Sequence, residues 1–218
     1  ANTAIAEGRF DAQHAPRETP EGFLAKMSME IGATGFATGA AIGETVDLPL
    51  HKLRGASVLL LDCKTGVAVT IELRDVPLGS YTDPMRWELR TPSYAMIGGG
   101  EIGHDESGQV QFTPEADGVF FLGLTSGACS YAVSRSNVPI ALYAGKGIGT
   151  IQGAERLYFL APEDTKTFAV HVQGSGGETV RVNVYDPDGA LAATTQTTLS
   201  TTRESLQIKT GSKSGAVW

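Results

Sequence analysis

His104-Asp105-Glu106 is the densest run of titratable side chains in the sequence, set a few residues after Gly98-Gly99-Gly100. A loop held by a rigid scaffold is where binding residues tend to lie. Asp105 and Glu106 are also the residue types a glycan-active hydrolase uses as a carboxylate pair, with partners brought close in space. Tyr81 and Tyr94 flank the run Met85 to Arg90, near Asp83 and Arg86. Flat aromatic faces beside hydrogen-bonding side chains suit a sugar platform, and two loop tyrosines packing over a rim is the plainer alternative. Asp186-Pro187-Asp188-Gly189 is an acidic turn. The hard oxygens of Asp186 and Asp188 suit calcium, although such a turn also forms without metal.

Other chemistries lack their residues. Nucleophilic hydrolysis on a strained serine elbow needs Gly-x-Ser-x-Gly, and Gly211-Ser212-Lys213-Ser214-Gly215 has Lys at its centre. Gly145-Lys146 is followed by Gly147, so no phosphate-cradling loop of the Walker type is present. The four histidines form no pair at metal-ligand spacing, and His171 falls on the polar side of its strand. A net charge of -7 with no basic run speaks against nucleic acid, whose affinity rests on Lys and Arg neutralising phosphates. The apolar stretch from Ile31 to Gly43 is far shorter than the ~20 residues that span a bilayer, so no membrane role is expected.

Those side chains need a scaffold, and composition points to β-structure: 41% hydrophobic, 19% charged and 27 glycines among 218 residues suit short strands joined by glycine turns. Period-two alternation is clearest at Val67 to Leu73 and Val180 to Tyr185. Further strands are predicted at 58–61, 85–90, 109–112, 119–124, 140–143, 156–160, 168–173 and 204–208. Trp87 shares a strand face with Met85 and Leu89, which predicts a core position. Cys63 and Cys129 match no metal-binding spacing, leaving one disulfide or two buried thiols; the disulfide is the reading favoured here.

Similar segments recur about 97 residues apart, so one supersecondary plan is used twice. Gly55-Ala56 with 58–61 corresponds to Gly153-Ala154 with 157–160, 67–71 to 168–172, 85–89 to 180–184, and 118–121 to 215–218. The predicted organisation is an extended arm at 1–22, a first β-sandwich domain at 23–145, and a second at 146–218 lacking its last strand. The fold class is therefore all-β, two tandem antiparallel β-sandwich domains of jelly-roll-like form. A strand cut short at Trp218 would leave unpaired backbone, to be completed by the rest of a longer polypeptide or by another protein chain.

Arg156 to Pro162, Phe168 to Val172, Gly174-Ser175-Gly176-Gly177-Glu178 and Val180 to Gly189 together resemble the bacterial pre-peptidase C-terminal domain and related galactose-binding-like sandwiches. The shared pattern is an aromatic strand ending in Pro, a glycine-rich turn, and a strand ending in Asp-Pro-x-Gly. The first copy departs from it, with Leu78-Gly79-Ser80 and Thr91-Pro92-Ser93 at the two turns. The resemblance implies a non-catalytic accessory module of a secreted bacterial hydrolase, hence a secreted or periplasmic location. The function expected is an accessory or binding module with polysaccharide as a candidate partner. A structural subunit completed by β-strand addition and a glycan-active hydrolase are the alternatives.

Overall fold

The computed structural model describes residues 42–144, 147–152 and 156–218. The predicted N-terminal arm and most of the apolar stretch 31–43 lie outside the described residues. The described residues divide into two compact units, the first ending at Leu157 and the second spanning Tyr158–Trp218.

The first unit is a β-sandwich. One sheet holds β1 (Val46–Asp47), β2 (Leu53–Arg54), β4 (Val69–Val76), β7 (Ser107–Phe112) and β9 (Ser130–Ser136), in the order β1-β9-β4-β7 with β2 also paired to β9. The other holds β3 (Ser57–Cys63), β5 (Met85–Arg90), β6 (Met96–Ile102), β8 (Gly118–Thr125) and β10 (Ile140–Leu142), in the order β10-β3-β8-β5-β6. Every pairing is antiparallel.

Strand alternation explains the core. Val69, Ile71 and Leu73 of β4 face Leu59, Leu61, Met85, Leu89, Phe120, Leu122 and Leu124 of the other sheet in one buried cluster, against which Trp87 packs. Strand β3 is buried on both of its faces, which is why 57–61 reads as a nearly continuous apolar run rather than an alternating one. The boundary expected at residue 145 falls later, because Thr150 bridges Leu53 and Ile151 donates its N–H to the Lys52 carbonyl at 2.9 Å.

The second unit contains β11 (Thr167–Gln173), β12 (Arg181–Tyr185), β13 (Leu191–Gln196) and β14 (Arg203–Lys209), paired β11 with β14 and β12 with β13. Its core is small: Ala161, Val184, Ile208 and Trp218, with Phe159, Phe168, Val170, Val182, Ala193 and Leu206 packed against them. The pairings follow the order seen in the first unit. Leu160 opposes Val217 much as Leu61 opposes Phe120, β11–β14 corresponds to β4–β7, and the β12–β13 hairpin corresponds to β5–β6.

Two expectations are corrected here. Residues 215–218 do not leave unpaired backbone on the side facing 159–161. Phe159 and Trp218 exchange N–H···O bonds of 2.9 and 2.8 Å, and Ala161 donates to the Ala216 carbonyl at 3.0 Å. The disulfide is absent as well, since Cys63 and Cys129 are both free and buried. Cys63 opposes Gly118 at one end of β8, whereas Cys129 lies beyond the other end. A strand of that length separates them by roughly 20 Å, and a disulfide needs Cα atoms about 6 Å apart.

Candidate functional site

Antiparallel connections carry three loops of the first unit to the same end of the sandwich. These are the β4–β5 loop (77–84), the β6–β7 turn (103–106) and the β8–β9 turn (126–129). Of the residues singled out in the sequence, Tyr81, Asp83, His104, Asp105 and Glu106 sit on this rim. Arg86 lies at the start of β5, ion-paired with Glu101 at 3.0 Å. Tyr94 does not join Tyr81. It lies past the opposite end of β5, roughly 15–20 Å of strand away. Its ring meets Phe121 edge-on at 5.4 Å and lies under the Arg90 guanidinium at 5.3 Å, so it packs rather than presents a face to a sugar. Burial pushes its hydroxyl well above the ordinary phenol range.

The centre of the rim is a residue the sequence reading passed over. Asp75 continues the inward register of Val69, Ile71 and Leu73, so β4 turns a carboxylate toward the interior at its last inward position, where it is fully buried. Its N–H is held by the Glu106 carbonyl at 2.9 Å, and its Oδ1 accepts the Asp105 N–H at 3.1 Å. To make that bond Asp105 adopts a left-handed conformation, φ 58°, at a cost of roughly 1 kcal/mol for a residue with a Cβ. This turn brings His104 over Asp75, with Nδ1 3.3 Å from Asp75 Oδ1. Asp105 itself points outward to Arg74 at 3.5 Å. The carboxylate of Glu106 folds over Gly103, where a Cβ would lie 2.5 Å from Oε2.

Cys129 completes the cluster. The turn Ser126–Cys129 closes by a bond from the Cys129 N–H to the Ser126 carbonyl at 3.0 Å. Asp83 braces it by accepting the Ala128 N–H at 3.1 Å. Gly127 is needed there, because its φ is +58° and a Cβ would come within 2.8 Å of the Asp83 carboxyl carbon. Cys129 Sγ is thereby set 3.9 Å from His104 Nδ1. One ligand atom each from Asp75, His104 and Cys129 falls within 4.8 Å of the others. Among the described residues, Asp75 Oδ2 and Ser126 Oγ are buried without a hydrogen-bond partner.

A Cys-His-Asp set invites comparison with a catalytic triad, and the geometry departs from one. A triad places nucleophile and acid on opposite ring nitrogens so that the imidazole can pass a proton between them. Here both Cys129 and Asp75 approach Nδ1, and the thiol is fully buried.

In the second unit, Asp186 and Asp188 converge on Lys213. Its Nζ is bonded to Asp186 Oδ2 and lies 2.8 Å from Asp188 Oδ2. The Asp186 Oδ1 accepts the N–H groups of Asp188 and Ala190, which is what shapes the turn. A protein ammonium thus occupies the position sketched for calcium, and it holds the Asp186 carboxyl below the usual carboxylate range. Among the described residues, no helix is long and apolar enough to cross a membrane. The fold and this rim define an all-β sandwich protein with a loop-borne polar cluster. Compared with known proteins, the sequence matches no protein-family model and no curated protein.

Proposed function

We propose that the chain is a secreted, non-catalytic accessory module that binds a ligand, of which a polysaccharide is the leading candidate, at the three-loop rim of its first unit. The observation that carries this reading is the convergence of three separate loops on one end of the sandwich, bringing half-exposed Tyr81 together with Asp83, His104, Asp105 and Glu106. Aromatic and hydrogen-bonding groups side by side, on loops anchored by a packed core, are what sugar recognition needs. The resemblance of residues 156–189 to the pre-peptidase C-terminal domain supports an accessory role and a location outside the cytoplasm.

The test is a glycan array followed by calorimetry on the intact chain. A bound saccharide should lose at least 10-fold in affinity with Tyr81→Ala, about 1.4 kcal/mol or more, and little with Tyr94→Phe. No saccharide bound by the wild type would end the carbohydrate reading.

One observation favours assembly by strand addition as a second reading. Among the described residues, strand β6 ends its sheet and exposes Met96 and Ile97, and an edge of this kind is a template for another strand. Light scattering that shows an oligomer for the wild type and a monomer for Ile97→Lys would establish it. A monomer throughout would remove it.

A further inference from the structure

We infer that Asp75, His104 and Cys129 form a binding site for a divalent transition metal of zinc's character. The argument begins with an imbalance. A carboxylate fully buried at the end of β4 has one oxygen that accepts the Asp105 N–H and lies 3.3 Å from His104 Nδ1, while Oδ2 has no partner among the described residues. A buried oxygen that carries charge and lacks a partner costs free energy that a cation would recover.

The donor set then selects the ion. Carboxylate, imidazole and thiol together suit zinc rather than calcium or magnesium, which take oxygen ligands only. Tetrahedral zinc with ordinary bond lengths spaces its nitrogen and oxygen ligands about 3.3 Å apart, and nitrogen and sulfur about 3.6 Å. The protein already holds the two pairs that share His104 Nδ1 at 3.3 and 3.9 Å, and all three ligand atoms within 4.8 Å of one another, so closure of up to about 1 Å between carboxylate and thiol completes the set. All three ligands are borne by positions the fold fixes: the last inward residue of β4, a turn locked by the Asp105 N–H, and a turn braced by Asp83. Those bonds are the outer support a metal ligand requires, since a hydrogen-bonded carboxylate and a held turn fix the direction of each donor.

The imidazole is 31% exposed, which gives an ion a way in, while the carboxylate and thiol stay dry. Three protein ligands leave a fourth position for water or an incoming donor. On binding, the Cys129 S–H bond breaks, the thiolate sulfur bonds to zinc, and one proton passes to the buffer. His104 presents the Nδ1 lone pair, so its proton resides on Nε2. The proposal does not rest on sugar binding, and either can fail without the other.

The test uses the full chain, reduced and stripped with a chelator, then titrated with zinc alone. One zinc per chain should be retained through dialysis, with release of about one proton per ion. His104→Ala, a change in a partly exposed turn, should weaken binding at least about 100-fold, and Cys63→Ser should leave it intact. Cobalt in place of zinc should give a thiolate charge-transfer band, present in Cys63→Ser and lost in Cys129→Ser. Stripped wild type that takes up no zinc would overturn the inference. So would zinc bound equally well by His104→Ala, or a cobalt complex without the sulfur band.

Discussion

A single side chain, the Cys63 thiol, links the packing of the first unit to a measurable response to pH. It ends β3 with no solvent exposure, and burial, with Asp62 adding to it, pushes its pKa from 9.0 up to about 12. The folded protein therefore keeps a proton that the unfolded chain gives up. Stability is undiminished below about pH 9 and declines as pH rises toward about 12. Toward pH 10 the buried Tyr131 adds to the same trend, because burial raises its phenol as well. Between pH 9 and 10 Cys63 makes the largest single contribution, with Tyr94 and Tyr131, both raised by burial, beginning to add to it. Denaturant titrations should show the wild type losing about 1 kcal/mol more across that interval than Cys63→Ala, which keeps only the smaller tyrosine contribution. A slope unchanged by the substitution would mean that some other group titrates there.

Strands behave differently depending on what their sequence can bury, and that decided what could be read in advance. Strands β4 and β12 were legible from their period-two alternation, and β3, β5 and β8 from the apolar content of their runs. Strand β9 (Ser-Tyr-Ala-Val-Ser-Arg-Ser) places Tyr131 and Val133 in the core among serines that are also buried, and strand β13 (Leu-Ala-Ala-Thr-Thr-Gln) is largely polar, so neither shows a clear period-two pattern. Strand β13 is a strand chiefly because β12 supplies its ladder, and β9 because it is buried against β4. Asp75 was legible in principle, since a carboxylate on the inward register of Val69, Ile71 and Leu73 contradicts the pattern around it. Its partners were not, because no spacing along the chain relates a strand end to turns roughly 30 and 54 residues later.

Gly98-Gly99-Gly100 reads in the sequence as the approach to a loop, and it is instead the middle of β6, lying against the Trp87 indole. A Cβ on Gly100 would meet three indole atoms at 3.0 Å. Gly100→Val should therefore cost about 1–3 kcal/mol by overpacking and change the Trp87 emission. Retained stability and an unaltered spectrum would show that the strand can move aside.

At the scale of the whole molecule, the repeated pairing order makes the two units comparable and their cores make them unequal. The first unit interleaves two five-stranded sheets around a continuous core. Among residues 158–218, no strand plays the parts of β9 and β10. The apolar side of β11 is accordingly only half-buried at Phe168 and Val170. Domains of about 60 residues are marginal even when well packed. The stability of this one depends on an aromatic stack in which Phe168 lies 4.9 Å from Phe159 and 5.0 Å from Trp218. The chain supplies its own reporters, since its two tryptophans fall one in each unit. Thermal melts of Trp87→Phe, which leaves the second unit visible, and of Trp218→Phe, which leaves the first, should give separate transitions with the second unit melting at lower temperature. Trp218→Ala, by contrast, removes a buried aromatic worth about 3–5 kcal/mol. It should unfold the second unit while Trp87 emission keeps the first-unit melting point. A single coincident transition seen by both tryptophans would overturn this, showing that the second unit draws its stability from the first rather than from its own aromatic stack.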